Sequence, residues 1–93
     1  MDITYDPKKR AETLAHRGLD FDDAAKVFAG RHFEMEDDRE DYGETRRITV
    51  GTFNRTMVVV VWTARDGARR VISMRKCNAK ERKRYKDQLD RSG

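Results

Sequence analysis

Cysteine, proline and histidine are nearly absent from this 93-residue chain, which holds one, one and two of them respectively. A lone Cys77 cannot build a disulfide framework, and neither a Cys-x-x-Cys pair nor a metal-spaced histidine pair occurs, so no metal site is expected. A glycine-rich phosphate loop, a nucleophile elbow and a Ser-His-Asp arrangement are also missing, which leaves nucleotide hydrolysis, acyl transfer and dinucleotide cofactors without support. No cofactor is therefore expected. Apolar runs stop well short of the roughly 20 residues that span a bilayer, and Met1 to Asp6 lack the basic-then-apolar order of a secretion signal. The expected setting is a reducing cytoplasm, away from membranes.

Charge is what the chain has in abundance: 41% of residues are Asp, Glu, Lys or Arg, and the formal net charge is +4. Placement says more than the total. From Glu34 to Glu44 there are seven acids and one base, Arg39, whereas from Arg65 to Lys86 there are ten bases and two acids, Asp66 and Glu81. A polyanion is attracted to the second segment and repelled by the first. With 37% apolar residues the chain folds around one thin core, so residues 1–93 are expected to be a single domain that a partner helps to complete.

Local signals predict an α+β fold. Ile3 to Tyr5 forms a short strand. Asp6-Pro7 then starts a helix, with Asp as N-cap and Pro at the first helical position, and Gly18 stops it. Ala11, Leu14 and Ala15 share one face of that helix. Asp20 caps a second helix, whose apolar stripe is Ala24, Val27 and Phe28 and whose end is Gly30. The acidic stretch from Glu34 to Gly43 reads as a solvated loop or an edge ribbon, or else as a lid or partner-facing surface that keeps nucleic acid away.

Three strand-like runs follow, Arg46 to Thr52, Thr56 to Ala64 and Arg69 to Arg75, joined by turns at Phe53-Asn54-Arg55 and Asp66-Gly67. Tight turns between consecutive strands give an antiparallel meander. Met57 to Trp62 is apolar on both faces and is expected at its centre. In the last run strict alternation puts Arg70, Ile72 and Met74 on one face, and Arg69, Val71, Ser73 and Arg75 on the other. Asn78-Ala79-Lys80-Glu81 has the form of a capping box and opens a C-terminal helix.

Taken in order, Tyr5-Asp6-Pro7-Lys8, Gly18-Leu19-Asp20-Phe21, Val27-Phe28, Arg46 to Gly51, the valine strand ending in Thr63 and Arg65, Arg70-Val71-Ile72-Ser73-Met74-Arg75, and Glu81-Arg82 with Tyr85 resemble the BrnT toxin family from about Ile3 to Tyr85. The resemblance implies a RelE-like fold, RNA cleavage that halts translation, and neutralisation by a cognate antitoxin carrying a ribbon-helix-helix DNA-binding segment. This chain departs from the family pattern in two places. His16-Arg17 stand where Lys-His is common, which bears on any single-histidine mechanism, and Met74 replaces a usual alanine.

Metal-free RNA cleavage needs a base for the 2′-hydroxyl, cations for the charge that builds on phosphorus, and an acid for the 5′-oxygen. Arginine suits the second task because its fork matches phosphate. Arg75, ending a strand beside a helix N-terminus, is the first candidate, with Arg65 beside it as a catalytic or phosphate-binding group. Arg70, Lys76, Lys80, Arg82 and Lys83 are candidates for holding the RNA backbone, free or on the ribosome; the plain alternative is a charged solvated surface. Glu81 is a candidate base or simply a cap residue. Tyr85 could stack on a base, pass a proton or pack in the core. His16 is a candidate acid or base, or a cation placed against the helix dipole, and His32 is expected to pair with the acidic segment. The cations of the last third are expected to converge on one pocket. An alternative to catalysis is a module that binds RNA without cutting it.

Overall fold

The computed structural model describes residues 2–92. In chain order it contains β1 (Ile3–Tyr5), α1 (Pro7–Arg17), a 3-10 turn (Phe21–Asp23), α2 (Ala24–Ala29), β2 (His32–Asp37), β3 (Arg46–Phe53), β4 (Thr56–Arg65), β5 (Ala68–Lys76) and α3 (Ala79–Ser92). The expected α+β class is what forms. The sheet, however, is mixed: its order is β1-β5-β4-β3-β2, and β1 pairs parallel to β5 while the other neighbours are antiparallel. An antiparallel meander therefore describes only β2 to β5, because β1 reaches β5 through an intervening layer that no local turn signal reports.

Several local expectations hold for the reasons given. Asp6 accepts from the Lys8 amide at 2.9 Å, and Gly18 ends α1 with φ at 68°, a conformation that costs glycine nothing. Asn54-Arg55 and Asp66-Gly67 both take positive φ, as two-residue hairpin turns require. The region after Asp20 is divided differently from the single helix expected there. Asp20 accepts from the Asp22 amide and caps a 3-10 turn before α2 begins at Ala24. The acidic stretch begins as an edge strand, β2, and becomes irregular only after Asp37.

The two faces of the sheet carry two cores. Leu19, Phe21, Ala24 and Val27 pack against Val58, Val60, Trp62, Val71 and Met74 on one side. On the other, Leu89 and Tyr85 of α3 pack with Cys77, Phe33, Val50 and Val59. Central β4 is thus buried on both faces, as its unbroken valine run predicts. Close approach of α2 to β3 depends on Gly51, where an added Cβ would lie 2.8 Å from the Val27 Cγ1. Helix α1 buries no residue and leaves Leu14 46% exposed. It lies beside the part of β5 that three-residue β1 leaves unpaired, and Arg17 donates to the Met74 carbonyl there at 3.0 Å.

One irregularity changes the reading of β5. Val61 pairs with Ser73 and Trp62 with Val71, so Ile72 is an extra residue, a β-bulge. The expected alternation fails at that point: Val71 and Met74 both enter the first core, while Ser73 and Arg75 turn to the opposite face. A bulge shifts the two-residue period by one, which no hydrophobic pattern within the strand announces.

Candidate active site

Helix α3 covers mainly β2 and β3. The sheet face beside it stays open and forms a cavity of about 400 Å³ lined by Arg17, Arg39, Ile48, Val59, Val61, Ser73, Arg75, Glu81 and Tyr85. Its floor is apolar, made by Ile48 of β3 with Val59 and Val61 of β4. Three arginines from three separate parts of the chain rim it. Arg75 comes from β5 because of the bulge, Arg17 from the end of α1, and Arg39 from the segment after β2. An apolar floor with a guanidinium rim suits a nucleotide, whose base lies flat while its phosphate meets the cations.

Arg75 is oriented from behind. Its Nη1 and Nη2 donate to Glu81 Oε1 and Oε2 at 2.7 and 2.8 Å. Glu81 is in turn fixed by the capping box: it accepts from the Asn78 amide at 3.0 Å, and the Asn78 Oδ1 accepts from the Glu81 amide at 2.9 Å. The Arg75 fork, with help from the Asn78 amide, holds the Glu81 carboxyl down at about 2. Both of its oxygens are occupied, and a carboxylate so stabilised is a weak proton acceptor at neutral pH. Tyr85, one turn further along α3, accepts from Arg84 at 3.0 Å and packs edge-on against Phe33.

Arg39 is held in a similar way. Its Nε and Nη2 donate to Asp37 Oδ1 and Oδ2 at 2.7 and 2.8 Å. Arg39 and its backbone hold the buried Asp37 carboxyl at about 2. Arg17 differs, since among the described residues it has no carboxylate partner; its one hydrogen bond goes to the Met74 carbonyl. Of the three rim cations it is the least neutralised.

A second recess of about 390 Å³ lies along α1, lined by Lys9, Glu12, Thr13, His16, Arg17, Ile72 and Ser73. Arg17 and Ser73 line both, so the two recesses meet, and His16 faces the second. Arg70 lies with Asp6, Lys9 and Ile72 in a smaller recess near β1.

The remaining candidates are elsewhere. Arg65 pairs with Glu44 at 3.1 Å, and Glu44 is also 3.6 Å from Arg46, so Arg65 braces the segment after β2 and does not line the cavity. Lys76, Lys80 and Lys83 are exposed, and Arg82 donates to the Cys77 carbonyl at 2.9 Å. Of the cations between residues 65 and 86, only Arg75 lines the cavity, and the expected convergence of the last third does not occur. The other two rim arginines, Arg17 and Arg39, come from the first half and were not among the expected site residues. The one available signal was Arg39 as the only base in an acidic run. His32 contacts the Gly30 carbonyl and lies 3.8 Å from Glu34, as expected for a paired histidine. Cys77 is buried and its thiol is pushed up to about 11 by that burial, so it is no nucleophile near neutrality. Among the described residues, no three His, Cys, Asp or Glu side chains converge as metal ligands, and no helix is long and apolar enough to cross a membrane.

Comparison with known proteins found no match among curated proteins. A family model does match residues 5–81, and it is described as ribonuclease toxin, BrnT, of type II toxin-antitoxin system.

Proposed function

Since the chain belongs to the BrnT family of ribonuclease toxins from type II toxin-antitoxin systems, we propose that the arginine-rimmed cavity is where it cleaves RNA. The observation that carries this reading is the bulge at Ile72, which aims Arg75 into the open face, where Arg17 and Arg39 also arrive. A β-bulge that re-aims one side chain is a common device next to active sites.

In the proposed reaction the 2′-oxygen of one ribose bonds to the adjacent phosphorus as the P–O5′ bond breaks, so a proton leaves the 2′-hydroxyl and another reaches the departing 5′-oxygen. Arg75 and Arg17 stabilise the charge on the non-bridging oxygens, where a pre-oriented guanidinium does most for the transition state. Glu81 acts by orienting Arg75, since its own oxygens are committed. His16, across the Arg17–Ser73 boundary, and Tyr85, on the cavity wall, are the proton carriers. The chemistry is drawn from these side chains without a metal. Arg70, Lys76, Lys80, Arg82 and Lys83 guide the RNA over the surrounding surface, and Arg65 contributes through the segment it braces.

Family membership implies a cognate antitoxin. The finer reading is that this antitoxin is of the ribbon-helix-helix type, that residues 1–93 act as one RelE-like domain in the cytoplasm, and that the target is cellular RNA, free or on the ribosome, so that translation and growth stop. Incubation of the purified protein with end-labelled RNA in chelator, with and without ribosomes, tests this. Cleavage lost in Arg75→Ala is expected, whereas binding without cleavage under both conditions would make the protein a noncatalytic RNA-binding module.

A further inference from the structure

We propose that Arg39 binds a second phosphate of the RNA chain, adjacent to the one engaged by Arg75, so that the preferred ligand is a strand with phosphodiesters on both sides of one cavity-bound nucleoside. This rests on the reading of the cavity as the RNA site.

The first support is the inequality within the Asp37–Arg39 pair. The Asp37 side chain is 0% exposed and the Arg39 side chain is 66% exposed. Withdrawing a carboxylate from water is costly, and a cation that stays largely in water offsets that poorly compared with a fully enclosed partner. The exposed cation is thereby aimed: a rigid buried carboxylate grips Nε and Nη2 and leaves Nη1 outside the fork, directed away from it.

The second support is the repetition of this device. Glu81 likewise grips Arg75 with both carboxylate oxygens, here through Nη1 and Nη2, and both guanidinium groups line the same cavity. Their origins are well apart. β5 and β2 are separated by β4 and β3, three inter-strand steps or about 14 Å at ordinary spacing, so the two side chains approach across the apolar floor of Ile48, Val59 and Val61. Entering from opposite sides of that floor, the two guanidinium groups meet separate phosphates more readily than they share one.

The third support is the rest of the segment, which is tied down. Glu44 bridges Arg46 and Arg65, and the Arg46 guanidinium lies 4.0 Å from the centre of the Tyr42 ring. The only base of an otherwise acidic run is thereby held at the cavity while its acidic neighbours Asp38, Glu40 and Asp41 remain exposed.

The test uses the full chain and a non-cleavable 2′-O-methyl trinucleotide with two phosphodiesters, beside two analogues in which one or the other is a neutral methylphosphonate, titrated by NMR at low salt. For the wild type, each neutralisation is expected to weaken binding about tenfold, the size of one charge-assisted contact. Removing Arg39 alone strands a buried carboxylate, so the variant is Asp37→Asn/Arg39→Ala, whose spectrum also reports folding. It is expected to lose the penalty at one phosphate and keep it at the other, with Arg75→Ala showing the reverse, and Arg39→Lys is expected to restore only part because lysine lacks the fork. A double variant that is folded and still shows both penalties overturns the assignment of Arg39. A wild type that responds only to the Arg75-dependent phosphate also overturns it and leaves the cavity reading standing, whereas a wild type that binds none of the three overturns both.

Discussion

Replacing Glu81 by Gln isolates the contact on which Arg75 depends. The amide keeps the shape and can still accept from the Asn78 backbone, so the cap survives, but the charge and the fork to Arg75 are lost. The folded carboxyl titrates at about 2 against an ordinary 4.5, which corresponds by linkage to at most about 3 kcal/mol of stability. Because the Arg75 side chain is 43% exposed and water screens the pair, about 2 kcal/mol is the better figure. The folded-state value is depressed, so this contribution is fully present above about pH 5 and is lost as pH falls towards 2, where the wild-type side chain is protonated and resembles glutamine. Urea unfolding of both proteins from pH 7 to pH 2.5 should therefore give stabilities that differ by about 2 kcal/mol at neutrality, which in thermal unfolding is roughly 8–16 °C in midpoint for a domain of this size, and that converge in acid. Curves that run parallel through the whole range would refute the argument. In cleavage assays the loss for Glu81→Gln should be no larger than that for Arg75→Ala; a larger loss would return Glu81 to the role of proton acceptor.

Arg75→Ala should lower kcat by about 10²–10³ with the fold retained, the usual cost of one preorganised donor at a developing anion, measured in single-turnover cleavage. Arg65→Ala, removed from the cavity and paired with Glu44, should cost far less in the same assay; equal losses would contradict the placement of Arg65. Gly51→Ala should destabilise by about 1–3 kcal/mol in denaturant titration, since its Cβ meets the Val27 side chain and the Arg31 carbonyl. Arg55→Gly should stabilise by about 1 kcal/mol in the same titration, because Arg55 holds φ at 62° in the β3–β4 turn, where a side chain is strained.

Whatever depends on residues close in sequence was legible in it. The capping box at Asn78 and Glu81, the Asp6-Pro7 helix start, the Gly18 stop and the Asp66-Gly67 hairpin each rest on contacts spanning a few residues, and all appear where expected. The valine run placed β4 at the centre because a strand apolar on both faces has nowhere else to go. From these same signals Arg75 was brought next to Glu81, half of the candidate site. The other half depended on packing. The bulge at Ile72 follows from how β5 must pair with β4 over their whole length, and it reverses which face Ser73 and Arg75 share. The parallel pairing of β1, the arrival of Arg17 at the free edge of β5 and the delivery of Arg39 by Asp37 join parts of the chain 57 to 66 residues apart or pass through an irregular segment. Periodicity is a property of one element at a time, and a cavity is made where elements meet, so the sequence alone determined the pieces and their turns, and only the tertiary structure decided which arginines share a site.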